Sequence, residues 1–338
     1  GLMLLLMGVL RFGFLANFLS HPVVSGFITA SGIIIALSQL RHILGIQGHG
    51  DTLIELGQSL LQDLASWNPV TLATGLAAMV FLFWARKGLQ PLLRGMGMSA
   101  DTAGIAAKAG PVFIILATTW ASYLGDFSSR GVALVGEVPQ GLPSLSAPSF
   151  DLQLWSELAV SAMLISIIGF VESVSVGKTL AAKRRQRIDP NQELVALGAA
   201  NMASGVSGGF PVTGGFSRSI VNFDAGAQTP AASIFAAIGI ALAALLLTPV
   251  LYYLPKATLA ATIIVAVSSL MDMDVIRRAW RYSLSDFIAV IMTIAATLLL
   301  GVELGVLSGI LASILLHLYK TATPHIAVVG AVAGTEHF

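Results

Sequence analysis

An all-α polytopic membrane protein is the fold class the sequence predicts, and three observations predict it. Of 338 residues, 56% are hydrophobic and 10% charged, with a mean hydropathy of +0.85. Soluble domains carry about 25% charged residues, so this chain lacks the polar side chains to cover a water-facing surface. That balance argues against a soluble enzyme and excludes disorder. The second observation is a series of apolar runs, at 1–19, 22–40, 69–84, 110–125, 158–178, 192–209, 214–231, 232–254, 257–271, 285–301 and 302–319. At roughly 30 residues per span plus connection, the length allows about eleven membrane segments. The third is where the basic residues fall: they cluster in alternate connections.

The first run opens without an initiator Met, a basic n-region or a cleavage site, so it is expected to be a helix of a longer protein rather than a signal peptide. His21-Pro22 starts the second run. One connection then holds Arg86, Lys87, Arg94 and Lys108; another holds Lys183, Arg184, Arg185 and Arg187; a third holds Arg277, Arg278 and Arg281; Lys320 follows the last run. Counting spans puts all of these on one side, which the positive-inside rule makes cytoplasmic. The opposite side has Arg41, Arg130 and Lys256. The long connection at 126–156 then lies outside, and Trp67, Trp120 and Trp155 near span ends suit interfacial anchors.

This alternation holds only if 192–209 and 214–231 are separate elements. The expected turn between them is Ser207-Gly208-Gly209-Phe210-Pro211-Val212-Thr213-Gly214-Gly215, whose glycines and proline would break a helix. Two short, Gly/Pro-interrupted apolar segments point to discontinuous helices that meet near the bilayer midplane.

The chemistry-bearing residues gather there. A helix opening at Gly214-Gly215-Phe216-Ser217-Arg218-Ser219 would present free N–H groups and a positive dipole end to an anion. Thr213 and Ser217 would add hydroxyl donors and Arg218 a fixed charge. An arginine so deep in apolar sequence needs a partner or an anion; pairing with Glu172 or Asp224 is the alternative. Glu172 is the acid inside the 158–178 run, and an intramembrane carboxylate is a proton carrier, a cation ligand or a counter-ion by default. Asn201 and Asn222 read as interhelical hydrogen-bond formers, and the small residues from Gly198 to Gly205 as a packing face.

Other chemistries lack residues. The chain has no cysteine, which removes disulfides, thiol nucleophiles and cysteine metal sites. Its histidines show no metal-ligand spacing. There is no phosphate-binding G-x-x-x-x-G-K-[ST] loop and no recognisable Ser/His/Asp set, so no cofactor and no enzymatic activity are expected. The basic clusters are short and sit at span ends, which gives nucleic-acid binding no support. Pro22 and Thr29 are echoed at equal spacing by Pro255 and Thr262, a faint sign of inverted repeats.

Three stretches resemble the SulP family of anion transporters, the sulfate permeases. They are Leu19-Ser20-His21-Pro22-Val23-Val24-Ser25-Gly26-Phe27; Gly169-Phe170-Val171-Glu172-Ser173-Val174-Ser175-Val176-Gly177-Lys178-Thr179-Leu180-Ala181; and Gly214-Gly215-Phe216-Ser217-Arg218-Ser219-Ile220-Val221-Asn222-Phe223-Asp224-Ala225-Gly226-Ala227-Gln228-Thr229-Pro230.

The resemblance covers the chain in order and implies a fold of two inverted repeats of seven segments, divided into core and gate domains. The chain looks like the fourth through fourteenth segments, without the first three. By that reading 1–19 belongs to the core, 20–125 to the gate, 126–156 to an extracellular connection, 157–254 to the core and 255–321 to the gate. Residues 322–338 lead toward a cytoplasmic STAS domain, beginning at Pro324-His325-Ile326-Ala327-Val328-Val329-Gly330. The resemblance places the substrate anion at Thr213, Gly214, Gly215, Phe216, Ser217 and Arg218, and gives Glu172 the position used for proton or sodium coupling. It implies elevator transport of sulfate, bicarbonate or a dicarboxylate by a multi-pass protein of the cell inner (plasma) membrane, surrounded by lipid and commonly a homodimer. A nucleobase permease of the same architecture and a non-transporting scaffold are the alternatives; the fixed charge of Arg218 favours a small anion over a neutral ring.

Overall fold

Helix starts follow the capping residues. Asn68 accepts from the N–H groups of Val70 and Thr71, with Pro69 at the first helical position, and α4 runs Pro69–Gly95. Asp151 accepts from Gln153 N–H to open α7, Leu152–Lys183. Asp189 accepts from Asn191 N–H, ahead of Pro190, to open α8, Pro190–Val206. These are the acceptors and the proline placement that helix N-termini favour. The computed structural model describes residues 1–17, 21–215, 218–219, 222–223, 226–268 and 271–322. The other helices are α1 (Leu2–Val9), α2 (His21–Leu44), α3 (Leu53–Gln62), α5 (Ala100–Lys108), α6 (Gly110–Leu124), α9 (Ala231–Leu246), α10 (Lys256–Ser268), α11 (Asp274–Tyr282), α12 (Leu284–Leu300) and α13 (Val302–Ala322).

The apolar runs map onto helices, with instructive differences. The first run is not one span: α1 stops at Val9, Arg11 turns left-handed at φ 60, and a 3₁₀ segment follows over Phe12–Asn17. The run at 69–84 extends through its own charges to Gly95, because Arg86, Lys87 and Arg94 are good helix formers. The run at 110–125 is preceded by α5, and the pair bends by 54° at Ala109, where Pro111 cannot continue the earlier ladder. The run at 232–254 ends its α-helix at Leu246 and continues as a 3₁₀ segment over Thr248–Tyr253. The polar helices α3 and α11 carry no apolar run. Among the described residues, three helices (α2, α4 and α7) are long and apolar enough to cross a membrane, or four with the bent pair. Shorter apolar helices are α9, α10, α12 and the Leu307–Leu316 part of α13. The closing stretch from Pro324 lies outside the described residues.

Packing forms two groups. Ile43, Ala78, Leu82, Ile114, Ala260, Ala261 and Val265 join α2, α4, α6 and α10, and the buried Thr258 hydroxyl donates to Thr118 Oγ1 at 3.0 Å across α10 and α6. Val23, Ala289 and Ala312 add α12 and α13. The other group is α1, α7 and α8, around Leu4, Phe170, Val171, Val174 and Leu194. There Gly198 lets α1 approach so closely that a Cβ would lie 2.6 Å from Leu5 N, the small-residue contact of membrane helices. Two connections between the groups cross: Val135 N–H donates to Leu254 C=O at 2.9 Å, and Lys256 N–H to Ala133 C=O at 2.9 Å.

Close packing also sets the α12–α13 pair, where a Cβ on Gly305 would overlap the backbone and side chain of Thr297. Thr297 is fully buried and cannot swing away. Gly305→Ala is expected to destabilise the fold by about 1–3 kcal/mol, read as a lower unfolding midpoint in detergent. An unchanged midpoint would mean the helices separate without cost.

Candidate functional site

The stretch expected as a turn after α8 is longer in space than a turn. The helix ends at Val206, Gly208 takes φ 68, and residues 209–215 are non-helical. Val206 C=O accepts from Ser146 N–H at 2.9 Å, which places this end of α8 beside the 126–156 connection. By Thr213 and Gly214 the chain has reached Gly169 and Ser173, near the middle of the 32-residue α7. It has descended as an extended segment, at ~3.3 Å per residue. Pro211 and the glycines keep it out of a helix.

Non-helical backbone inside a bilayer must find internal partners, and side chains of α7 and α8 supply them. Ser204 Oγ donates to Phe210 C=O at 2.7 Å. The Asn201 amide takes both polar groups of Val212: Nδ2 donates to its C=O at 2.8 Å and Oδ1 accepts its N–H at 2.9 Å. From α7, Ser173 Oγ accepts Gly214 N–H at 2.8 Å. Thr213 Oγ1 donates to Gly169 C=O at 2.9 Å and lies 3.2 Å from Ser173 Oγ. With Thr213's proton on Gly169, Ser173 is the donor of that second pair. A Cβ on Gly214 would sit 2.9 Å from Ser173 Oγ, so glycine is needed for this approach.

A helical turn follows. Ser219 N–H donates to Gly215 C=O at 3.1 Å, and Arg218, Ser219, Asn222 and Phe223 are helical. Arg218 is exposed, and its Nε and Nη2 both lie 3.9 Å from where a Gly215 Cβ would be. The guanidinium thus folds back toward the helix start. The far end is held at the other end of α7: Arg184 lies over the Phe223 ring at 4.6 Å, and its Nη2 donates to Ala227 C=O at 2.7 Å. The tip therefore points from mid-α7, with its polypeptide secured above and below.

Glu172 precedes Ser173 on α7. It is half-buried and lines a cavity of about 800 Å³ together with Thr213, Asn201 and apolar residues of α1 and α7. Arg218 is near enough to be the charge that acts on it, yet the two form no direct ion pair; among the described residues the ion pair is Arg278–Asp272. Glu172 accepts no hydrogen bond from a described residue. The structure thus brings Glu172, Thr213, Gly214, Gly215 and Arg218 together, while Phe216, Ser217 and Asp224 lie outside the described residues. It also divides the roles. The Thr213 hydroxyl proton and the Gly214 N–H are already engaged with α7, so they fix the tip, whereas Arg218 is exposed. Ser173, Asn201 and Ser204 were not singled out as site residues. Their only sequence signal is polarity on helices next to a Gly/Pro-rich break.

The chain is similar to known proteins in sequence and in fold. A model of the sulfate permease family matches residues 1–293. The chain is 37% identical to sulfate transporter 4.1, chloroplastic, of Arabidopsis thaliana over 99% of its own length and 47% of that protein's; it spans about half the length of such relatives. In fold it is similar to SLC26A9, with a TM-score of 0.83 at 24% identity over 94% of this chain and 49% of the other. It is also similar to the transmembrane domain of the cyanobacterial bicarbonate transporter BicA, with a TM-score of 0.70 at 20% identity over 93% and 73%. The nucleobase-permease alternative finds no support among these matches. With its all-α architecture and a family match over most of its length, the chain belongs to the sulfate permease family.

Proposed function

We propose that this chain carries the anion half-site and the coupling carboxylate of a secondary transporter for a small anion: sulfate, bicarbonate or a dicarboxylate. The observation that carries the reading is the broken element beside α7. Its extended half is hydrogen-bonded to α7 and α8, and its helical half starts at mid-membrane with Arg218 at the tip. A helix start with a guanidinium attracts a negative solute, and the cavity next to Glu172 gives the solute and a compensating proton or sodium ion a place to meet. Because the tip is bound to α7 and α8, and α1 packs on both, these parts move as one body. In the elevator reading, this body is the core that carries the anion, and the α2–α4–α10–α12–α13 group is the gate anchored in lipid. The protein would act as a homodimer in the cell's inner (plasma) membrane.

The test is flux through the full-length protein in liposomes. Labelled sulfate, bicarbonate and succinate are offered with and without a pH or sodium gradient, and uracil serves as the neutral ring. Saturable uptake of at least one anion, driven by one gradient, is expected. Uptake of uracil alone would favour a nucleobase carrier, and anion binding without flux would favour a scaffold or motor-like role.

A further inference from the structure

We propose that Asn201 is a positioning residue of the anion site: it serves as the strand partner that the extended segment lacks and thereby sets the height of the helix tip. The inference rests on the anion-transport reading above and adds a residue that acts through the backbone rather than on the solute.

The hydrogen bonds of its amide are fully assigned. One Nδ2 proton goes to Leu197 C=O at 2.9 Å, the other to Val212 C=O at 2.8 Å, and Oδ1 accepts Val212 N–H at 2.9 Å. A primary amide has two protons, so Asn201 lines the cavity with no donor left for an anion. Rotating the amide by 180° would set its oxygen against two carbonyls and its NH₂ against an N–H, so the network admits one orientation. The bond to Leu197, one turn earlier on α8, fixes the side chain on its own helix. What the amide offers Val212 is the donor–acceptor pair that a neighbouring β-strand would offer.

Among the described residues, no other side chain bonds Val212. Ser204 holds Phe210 and Ser173 holds Gly214, so Val212 is the midpoint of the segment and depends on Asn201 alone among the described residues. Without the amide, two backbone groups lose their partners beside a cavity lined mostly by apolar residues, and the segment loses the contact that holds it at this height. Gly214, Gly215 and Arg218 follow directly in the chain and shift with it. Losing one charge-assisted hydrogen bond to the anion in this way is enough to cost about tenfold in affinity.

The test uses the full-length protein in liposomes, with radiolabelled sulfate and bicarbonate as probes. Asn201→Ala is expected to raise the half-saturating concentration about tenfold or more, with a smaller change in the maximal rate per folded protein. Asn191→Ala is the control. Asn191 stands on the same helix and also binds backbone, accepting Gly13 N–H at 2.9 Å, but away from the tip, so its half-saturating concentration should match wild type. Equal effects from both variants, or none from Asn201→Ala, would overturn the assignment. Hydrogen exchange on the wild type covers the case in which the variant fails to fold. Residues 210–215 should exchange more slowly than 138–145 of the long connection, and equal rates would overturn the proposal. If the wild type takes up neither probe, the transport reading has failed, and the exchange result still decides whether the staple exists.

Discussion

Replacing Arg218 by alanine is expected to raise the anion concentration for half-maximal uptake by on the order of ten- to a hundredfold. A charge-assisted hydrogen bond contributes about 1.5–3 kcal/mol, and each 1.4 kcal/mol is about a factor of ten in affinity. The effect should fall on affinity because the guanidinium forms no hydrogen bond or ion pair with another described residue. Arg218 is exposed, packs back over Gly215 and forms no ion pair with a described acid, so its removal leaves the staples at Phe210, Val212 and Gly214 intact. Arg218→Lys should lie between the two, since it keeps the charge and loses the planar fork. The measurement is sulfate and bicarbonate uptake against concentration, alongside a thermal unfolding midpoint. Unchanged half-saturation would place the anion elsewhere. A lost fold would instead make Arg218 a structural residue, which its exposure argues against.

The broad features of the fold were legible because they rest on composition and on single residues with strong local effects. Too few charges to face water, Pro22 at a helix start, and the basic residues between apolar runs all act within a few positions. The break at 207–215 was legible for the same reason: Gly208, Gly209 and Pro211 cannot sustain a helix. Its shape was not. Whether such a stretch is a tight turn or an extended strand depends on which distant groups satisfy its backbone, and those groups are Asn201, Ser204 and Ser173, between 6 and 41 positions away in the chain. Nothing in a local pattern distinguishes a serine that binds its own helix, as Ser166 does through Ala162 C=O, from one that receives a foreign N–H. The end of α1 at Val9 was hidden too, since Leu10, Phe12 and Phe14 continue the apolar pattern through a left-handed Arg11.

Replacing Glu172 by glutamine should abolish uphill accumulation while leaving downhill exchange of the same anion in place. Glutamine has nearly the shape of a protonated glutamate and cannot change charge, so the carrier would be fixed in the form that pairs with a loaded anion. The geometry makes the charge state of this residue consequential. Glu172 sits one residue before Ser173, which holds the tip, and it faces the cavity with no hydrogen bond from a described residue to fix its charge. The positive charge acting on it is Arg218, the group proposed to bind the anion. A bare carboxylate and an anion would therefore compete for one guanidinium. A proton or sodium ion on Glu172 would end that competition, and anion loading and cation loading would then favour each other. If the cation is a proton, wild-type vesicles with one unit of inward pH gradient should concentrate the anion about tenfold per proton carried, since a pH unit is worth about 1.4 kcal/mol. In Glu172→Gln the internal concentration should only equal the external one. If sodium is the driving ion, the same loss should follow for a sodium gradient and the pH gradient should be idle in both proteins. Accumulation by Glu172→Gln at the wild-type ratio, under whichever gradient drives the wild type, would remove this carboxylate from coupling and leave it a neighbour that only shapes the field around Arg218.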